Sequence, residues 1–176
     1  MRSTRDTESK DIHLDQTSSA VGDEAVHAAL SHARTGNGPP FKEMAAMLNP
    51  EPVLIVCPEE MSNGRVVECV LDCGLDSHSC SNCREAQSLL KRQRFEVVLC
   101  SDRLADGDLR DVIKMAKPAP VVVLSELTEW SRYLSALRAG AFDCIAFPPE
   151  GGQVKRTLWS ALIEHARHRR KAAAGL

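Results

Sequence analysis

The sequence predicts an α/β fold in which a five-stranded parallel sheet is covered by helices on both faces. Three observations predict it. From Pro52 onward, short apolar runs alternate five times with stretches of helical periodicity. Val53 to Cys57 and Pro120 to Leu124 are continuous apolar runs, as expected of strands buried on both sides. The connections between units are short, so each strand must lie beside an earlier one in the same sense.

Val53-Leu54-Ile55-Val56-Cys57 is the first strand, ended by Pro58. A helix begins near Ser62, with Val66, Val67, Val70 and Leu71 along one side, and Gly74 suits its carboxyl-terminal stop. Ser77 to Cys80 is a polar, short strand suited to a sheet edge. Asn82 opens the second helix, with Glu85 three residues on as a variant capping box. Ala86, Leu89 and Leu90 form its apolar side. Glu96 to Cys100 is the third strand, and Leu109, Val112, Ile113 and Ala116 mark the helix after it. Pro120 to Leu124 is followed by a stripe of Trp130, Tyr133, Leu134 and Leu137, closed by Gly140. Asp143 to Phe147 is the fifth strand, and Val154, Leu158, Ala161 and Leu162 line the last helix.

A chain of 176 residues has room for one such domain and an appendage. Residues 1–50 are rich in Ser, Thr, Asp, Glu and Gly and close on Gly36-Asn37-Gly38-Pro39-Pro40. That composition buries too little surface to offset ordering entropy, so a flexible arm with a short helix is expected. Residues 51–170 form the domain, and 171–176 a basic, small-residue tail. A net charge of −2 provides no general attraction to nucleic acid or an anionic membrane. No apolar run approaches bilayer length, and the amino terminus lacks the apolar core of a signal peptide. A cytoplasmic protein is expected. Seven cysteines, an odd number, then read as thiols rather than as a disulfide framework.

The phrases VLIVCPEE, FEVVLCSDRLADGD, PVVVLS and LRAGAFDCIAFPP resemble the receiver domains of bacterial response regulators over roughly residues 52–170. The resemblance implies a flavodoxin-like, doubly wound sheet of strand order 2-1-3-4-5, with its site at the carboxyl ends of the strands. It also implies phosphoryl transfer to a carboxylate after the third strand. A divalent cation held by acids after the first strand would assist, with a hydroxyl after the fourth and a lysine after the fifth.

The residues at those positions do not supply that chemistry. The acceptor position falls on Ser101, the acidic pair on Cys57 and Pro58, and the lysine on Phe147. Only Ser125 keeps the expected hydroxyl, and the aromatic switch position falls on Cys144. Glu59, Glu60 and Asp102 lie one or two residues out of place. Successive strand side chains point to opposite faces, so Asp102 is not a simple replacement for Ser101. Phe147 would fill a pocket that has lost its acids, where a lysine would be a costly unpaired cation. Phe147-Pro148 is expected to keep the family's cis peptide.

Cys80-x-x-Cys83, with Cys69, Cys73 and His78, suggests zinc, which needs its ligands roughly 2.0–2.3 Å from one point. In this fold Cys69 and Cys73 sit on one face and Cys80 and Cys83 on the other, so no metal is expected. Cys57, Cys100 and Cys144 are expected to ring the vacated pocket, which makes a thiol-based redox sensor an alternative function. His165, Arg167, His168, Arg169, Arg170 and Lys171 read as a solvated basic helix end. Trp130 and Tyr133 read as core or boundary residues, with Trp130 also a candidate interface anchor.

No nucleophile–base pair or phosphate-cradling glycine loop is present, so neither an enzyme nor a cofactor is expected. The sequence reading is an atypical stand-alone receiver in two-component or phosphorelay signalling, acting by protein contact without phosphorylation. Its expected partner is a histidine kinase, a phosphotransfer protein or another receiver, including a second copy in a homodimer. Nucleic acid and membrane are not expected partners. Residual phosphoryl acceptance at Asp102 or Ser101 is a further alternative.

Overall fold

A computed structural model describes residues 50–59, 61, 63–126 and 130–173, together with positions 43 and 45. Glu60 and almost all of the expected arm lie outside the described residues. The strands are β1 (Val53–Val56), β2 (Ser77–Cys80), β3 (Val97–Ser101), β4 (Val121–Ser125) and β5 (Asp143–Ala146). They form one parallel sheet in the order β2-β1-β3-β4-β5. The helices are α1 (Gly64–Asp72), α2 (Cys83–Arg92), α3 (Leu109–Ala116), α4 (Trp130–Ala139) and α5 (Gly151–Ala173).

The pleat sorts the core into two layers. Val53, Ile55, Val97, Leu99, Val122, Leu124 and Ile145 face α1 and α5. Leu54, Val56, Val98, Cys100, Val121, Val123 and Cys144 face α2, α3 and α4. The four residues of β1 and the five each of β3 and β4 are fully buried, which explains their unbroken apolar runs. The edge strand β2 is exposed at His78 and Ser79, as its polarity predicts. Ala45, one of the three described residues of the arm, is helical and buried in the α1–α5 layer. Phe147-Pro148 is cis.

Three helix faces differ from the periodicity reading. On α1 the buried residues are Val66, Cys69 and Val70, while Leu71 is exposed. On α4 only Ala136 is buried; Leu134 and Leu137 are half-buried, and Trp130 is 71% exposed. Ala136 and Ala139 make the contact there together with the half-buried Tyr133, and Trp130 is left outside. On α5 the expected Val154, Leu158, Ala161 and Leu162 are buried, but the buried face continues through Trp159 to His165. His165 is therefore not part of a solvated end. It lies 3.2 Å from Glu96 at the base of β3, and Arg169 also reaches Glu96 at 3.2 Å.

The start of α2 is tied down twice. Asn82 Oδ1 accepts from the Glu85 backbone N–H at 2.9 Å, and Glu85 reaches back to the Ser81 N–H at 3.0 Å. Asp106, from the loop after β3, accepts from the N–H groups of Cys83 and Arg84 at 2.7 and 3.0 Å. The loop approaches so closely that a Cβ on Gly107 would stand 2.5 Å from Cys83 Sγ. The loop that carries the site is thus clamped to a neighbouring helix.

Candidate functional site

The carboxyl ends of β1, β3, β4 and β5 bring all the predicted positions to one edge of the sheet, but on two different faces. Cys57, Ser101 and Phe147 lie on the α1–α5 side. Asp102, Ser125 and Cys144 lie on the side of α3 and α4. The reason is the two-residue period of the strand: Ser101 continues the Val97, Leu99 row, and Asp102 falls on the other.

Ser101 is fully buried. Its hydroxyl donates to Met61 Sδ at 3.2 Å and accepts from the Arg103 backbone N–H at 3.1 Å. Met61 and Phe147 pack on the same apolar cluster that contains Cys57. The Cys57 thiol lies 3.7 Å from the Met61 carbonyl, and its N–H donates to Cys80 O at 2.9 Å. Sulfur and hydrocarbon thus surround Ser101. Pro58 is half-buried, and the exposed Glu59 borders a separate open cleft beside Cys57, Ser79 and Glu85.

The opposite face holds a more polar arrangement. The Ser125 hydroxyl donates to Asp102 Oδ2. Arg132 Nη1 lies 3.8 Å from the same oxygen, and the Asp102 side chain is 18% exposed. Asp102, Ser125, Arg132 and Cys144 border a cleft of about 410 Å³ between α3 and α4. Arg103, also on the loop after β3, pairs with Glu126 at 2.9 Å. Among the described residues, no three acidic, histidine or cysteine side chains are grouped as a metal site.

The cysteines do not ring one pocket. Cys100 and Cys144 lie in one layer and Cys57 in the other, because their strands present them with opposite parity. Cys69 and Cys73 are likewise separated from Cys80 and Cys83 by the sheet. Burial pushes every one of these thiols upward: Cys144 and Cys73 to about 11, Cys80 to about 12. Cys57 and Cys100 move in the same direction for the same reason. Thiolate chemistry near neutral pH gains nothing from this setting.

On α4, Trp130 stacks on Tyr133 with ring centroids 5.0 Å apart. Tyr133 is half-buried, and its hydroxyl donates to Asp143 Oδ1 at 3.4 Å. The Asp143 charge, then burial, pushes the phenol upward. Met61, Arg132 and Asp106 were not singled out in the sequence. Met61 and Arg132 carry no local motif, whereas Asp106 stands in the ADGD phrase as an ordinary turn residue.

No family model matches the chain. The response regulator protein PilR of Pseudomonas aeruginosa is 35% identical over 92 residues, which is 50% of this chain and 21% of that protein. The chain thus spans about a fifth of that relative. A two-component response regulator from Clostridium difficile superposes with a TM-score of 0.58 at 19% identity, covering 64% of this chain and 95% of that one. The receiver domain of sensor histidine kinase PA1611 from Pseudomonas aeruginosa, which has magnesium coordinated in its active-site cleft, gives 0.56 at 20% identity. That match covers 64% of this chain and 98% of the other.

Proposed function

We propose that this chain, whose fold is that of a receiver domain, is a signalling module of a two-component or phosphorelay pathway that works by protein contact without accepting a phosphoryl group. The observation that carries this reading is Ser101. Ser101, the residue we assign to the acceptor position, has no exposed surface, and its hydroxyl is held by Met61 and the Arg103 N–H. Phosphoryl transfer requires an accessible nucleophile and fixed positive charge on the transferring oxygens. Phe147 supplies no charge, and the Ser101 hydroxyl meets the Met61 sulfur at 3.2 Å rather than an oxygen ligand fit for a hard cation.

The contact surface would be that of α4, β5 and α5, with the exposed Trp130 at its centre. Its partner would be a histidine kinase, a phosphotransfer protein, another receiver or a second copy in the cytoplasm. No helix among the described residues is long and apolar enough to cross a membrane.

One observation favours a second reading. Asp102 borders an open cleft, beside a hydroxyl and a guanidinium, and so could accept a phosphoryl group in place of Ser101. Incubation with acetyl phosphate and magnesium, followed by intact mass, separates the two. No mass gain is expected; a phosphoryl increment that disappears in Asp102→Asn would establish the second reading and overturn the first.

A further inference from the structure

Helix α4 carries both a protruding aromatic ring and one wall of an open cleft. Ser131, Arg132, Ser135, Ala136 and Ala139 line the cleft between α3 and α4, whereas Trp130 and Tyr133 stack together on the neighbouring stripe of the helix. Val123, Ala136 and Cys144 give the cleft a small, apolar floor, and all three are buried. The exposed Arg110 and Arg132 stand at its rim. A buried cavity of about 150 Å³ accommodates benzene. The cleft, at about 410 Å³, therefore has room for a bicyclic ring.

Trp130 is 71% exposed and, with Leu71, is one of the two large hydrophobic side chains left exposed among the described residues. Its stack on Tyr133, with centroids 5.0 Å apart, limits the ring's freedom in advance and so lowers the entropy lost on docking. An indole that leaves water needs an acceptor for its N–H. Asp102 borders the cleft with its side chain 18% exposed. Ser125 and Arg132 both address its Oδ2, so Oδ1 is the atom placed to accept. The two rim guanidiniums suit the face of an aromatic ring.

We propose that this cleft receives Trp130 of a second copy of the chain. The ring lies on Val123, Ala136 and Cys144, its N–H donates to Asp102, and Arg110 and Arg132 flank it. Ring and cleft share one helix, as befits a surface that pairs with itself across a two-fold axis. The inference rests on the reading of α4 as the contact surface and names its occupant; it does not depend on phosphoryl transfer.

The test is sedimentation of the whole chain over rising concentration, with Trp130→Ala and Ser135→Leu alongside. Both substitutions alter exposed side chains, so melting temperatures should hardly move. The wild type should dimerise with a Kd below about 1 mM, and each variant should weaken this by about tenfold or more, as loss of an interface anchor does. Trp130→Ala keeps the cleft, and Ser135→Leu keeps the ring while filling the cleft. An equimolar mixture should therefore associate more tightly than either variant alone. A wild type that stays monomeric, undiminished association in both variants, or a mixture no tighter than its components would overturn the proposal. If Trp130→Ala lowers capture of another protein while the chain stays monomeric, the contact reading stands and this inference falls.

Discussion

At the scale of single residues, Glu96 shows how a buried charge is made tolerable. Burial opposes its ionisation, but His165, Arg169 and the Glu51 backbone N–H together hold the carboxyl below its ordinary value of 4.5. A carboxyl whose folded value is lowered adds stability above its unfolded value, and that stability is lost as pH falls through the folded one. Glu96→Gln keeps the shape and removes the charge, so it should cost about 1–3 kcal/mol at neutral pH. Urea unfolding at pH 7 and at progressively lower pH should show the wild type losing its advantage below about pH 4.5. An equal loss at every pH would mean that the charge of Glu96 contributes nothing. Ser101 and Asp102 teach a related lesson: adjacent positions with the same backbone have opposite fates, because the pleat gives one to sulfur and the other to a hydroxyl.

At the scale of elements, the loop after β3 and the start of α2 behave as one unit. Asp106 accepts from two N–H groups that α2 cannot satisfy internally, and Gly107 permits the approach. Gly107→Ala must push the loop off Cys83 and should destabilise the fold by about 1–3 kcal/mol, as overpacking does. Thermal unfolding of this variant beside Gly107→Ala/Cys83→Ala checks the cause: removing the sulfur should restore most of the loss. Helix α4 is the contrasting case. It meets the core through Ala136, Ala139 and Tyr133 and holds Trp130 outside, which frees that face for a partner. Its stripe misled the periodicity reading because size and spacing show which residues share a face. They do not show which face is turned inward.

At the scale of the whole molecule, the carboxyl edge of the sheet gathers Cys57, Ser101, Asp102 and Ser125, and α4 holds Trp130 out to solvent. If the α4 surface makes the functional contact, Trp130→Ala should reduce capture of the partner from cells of the source organism severalfold, as loss of an interface anchor does. The melting temperature should hardly move, since the ring is 71% exposed. Unchanged capture would direct attention to α1, where Leu71 is exposed. Most of the architecture was legible beforehand: all five strands fall within one residue of their expected ends, in the expected order. The gap opened at α5, where a run of basic residues looked solvated while His165 and Arg169 in fact close on Glu96, the latter 73 positions away.

The chain's own pattern of apolar runs, turns and caps determined the order of its elements. It also determined which residue types stand at the carboxyl ends of the strands, since both are properties of neighbours along the backbone. Tertiary structure alone decided that Asp102 meets Ser125, that Met61 covers Ser101 and that Glu96 meets His165. Each of those pairs depends on strand register and on how a helix is rotated against the sheet. Both are fixed by the packing of the whole core, which no local stretch of sequence contains.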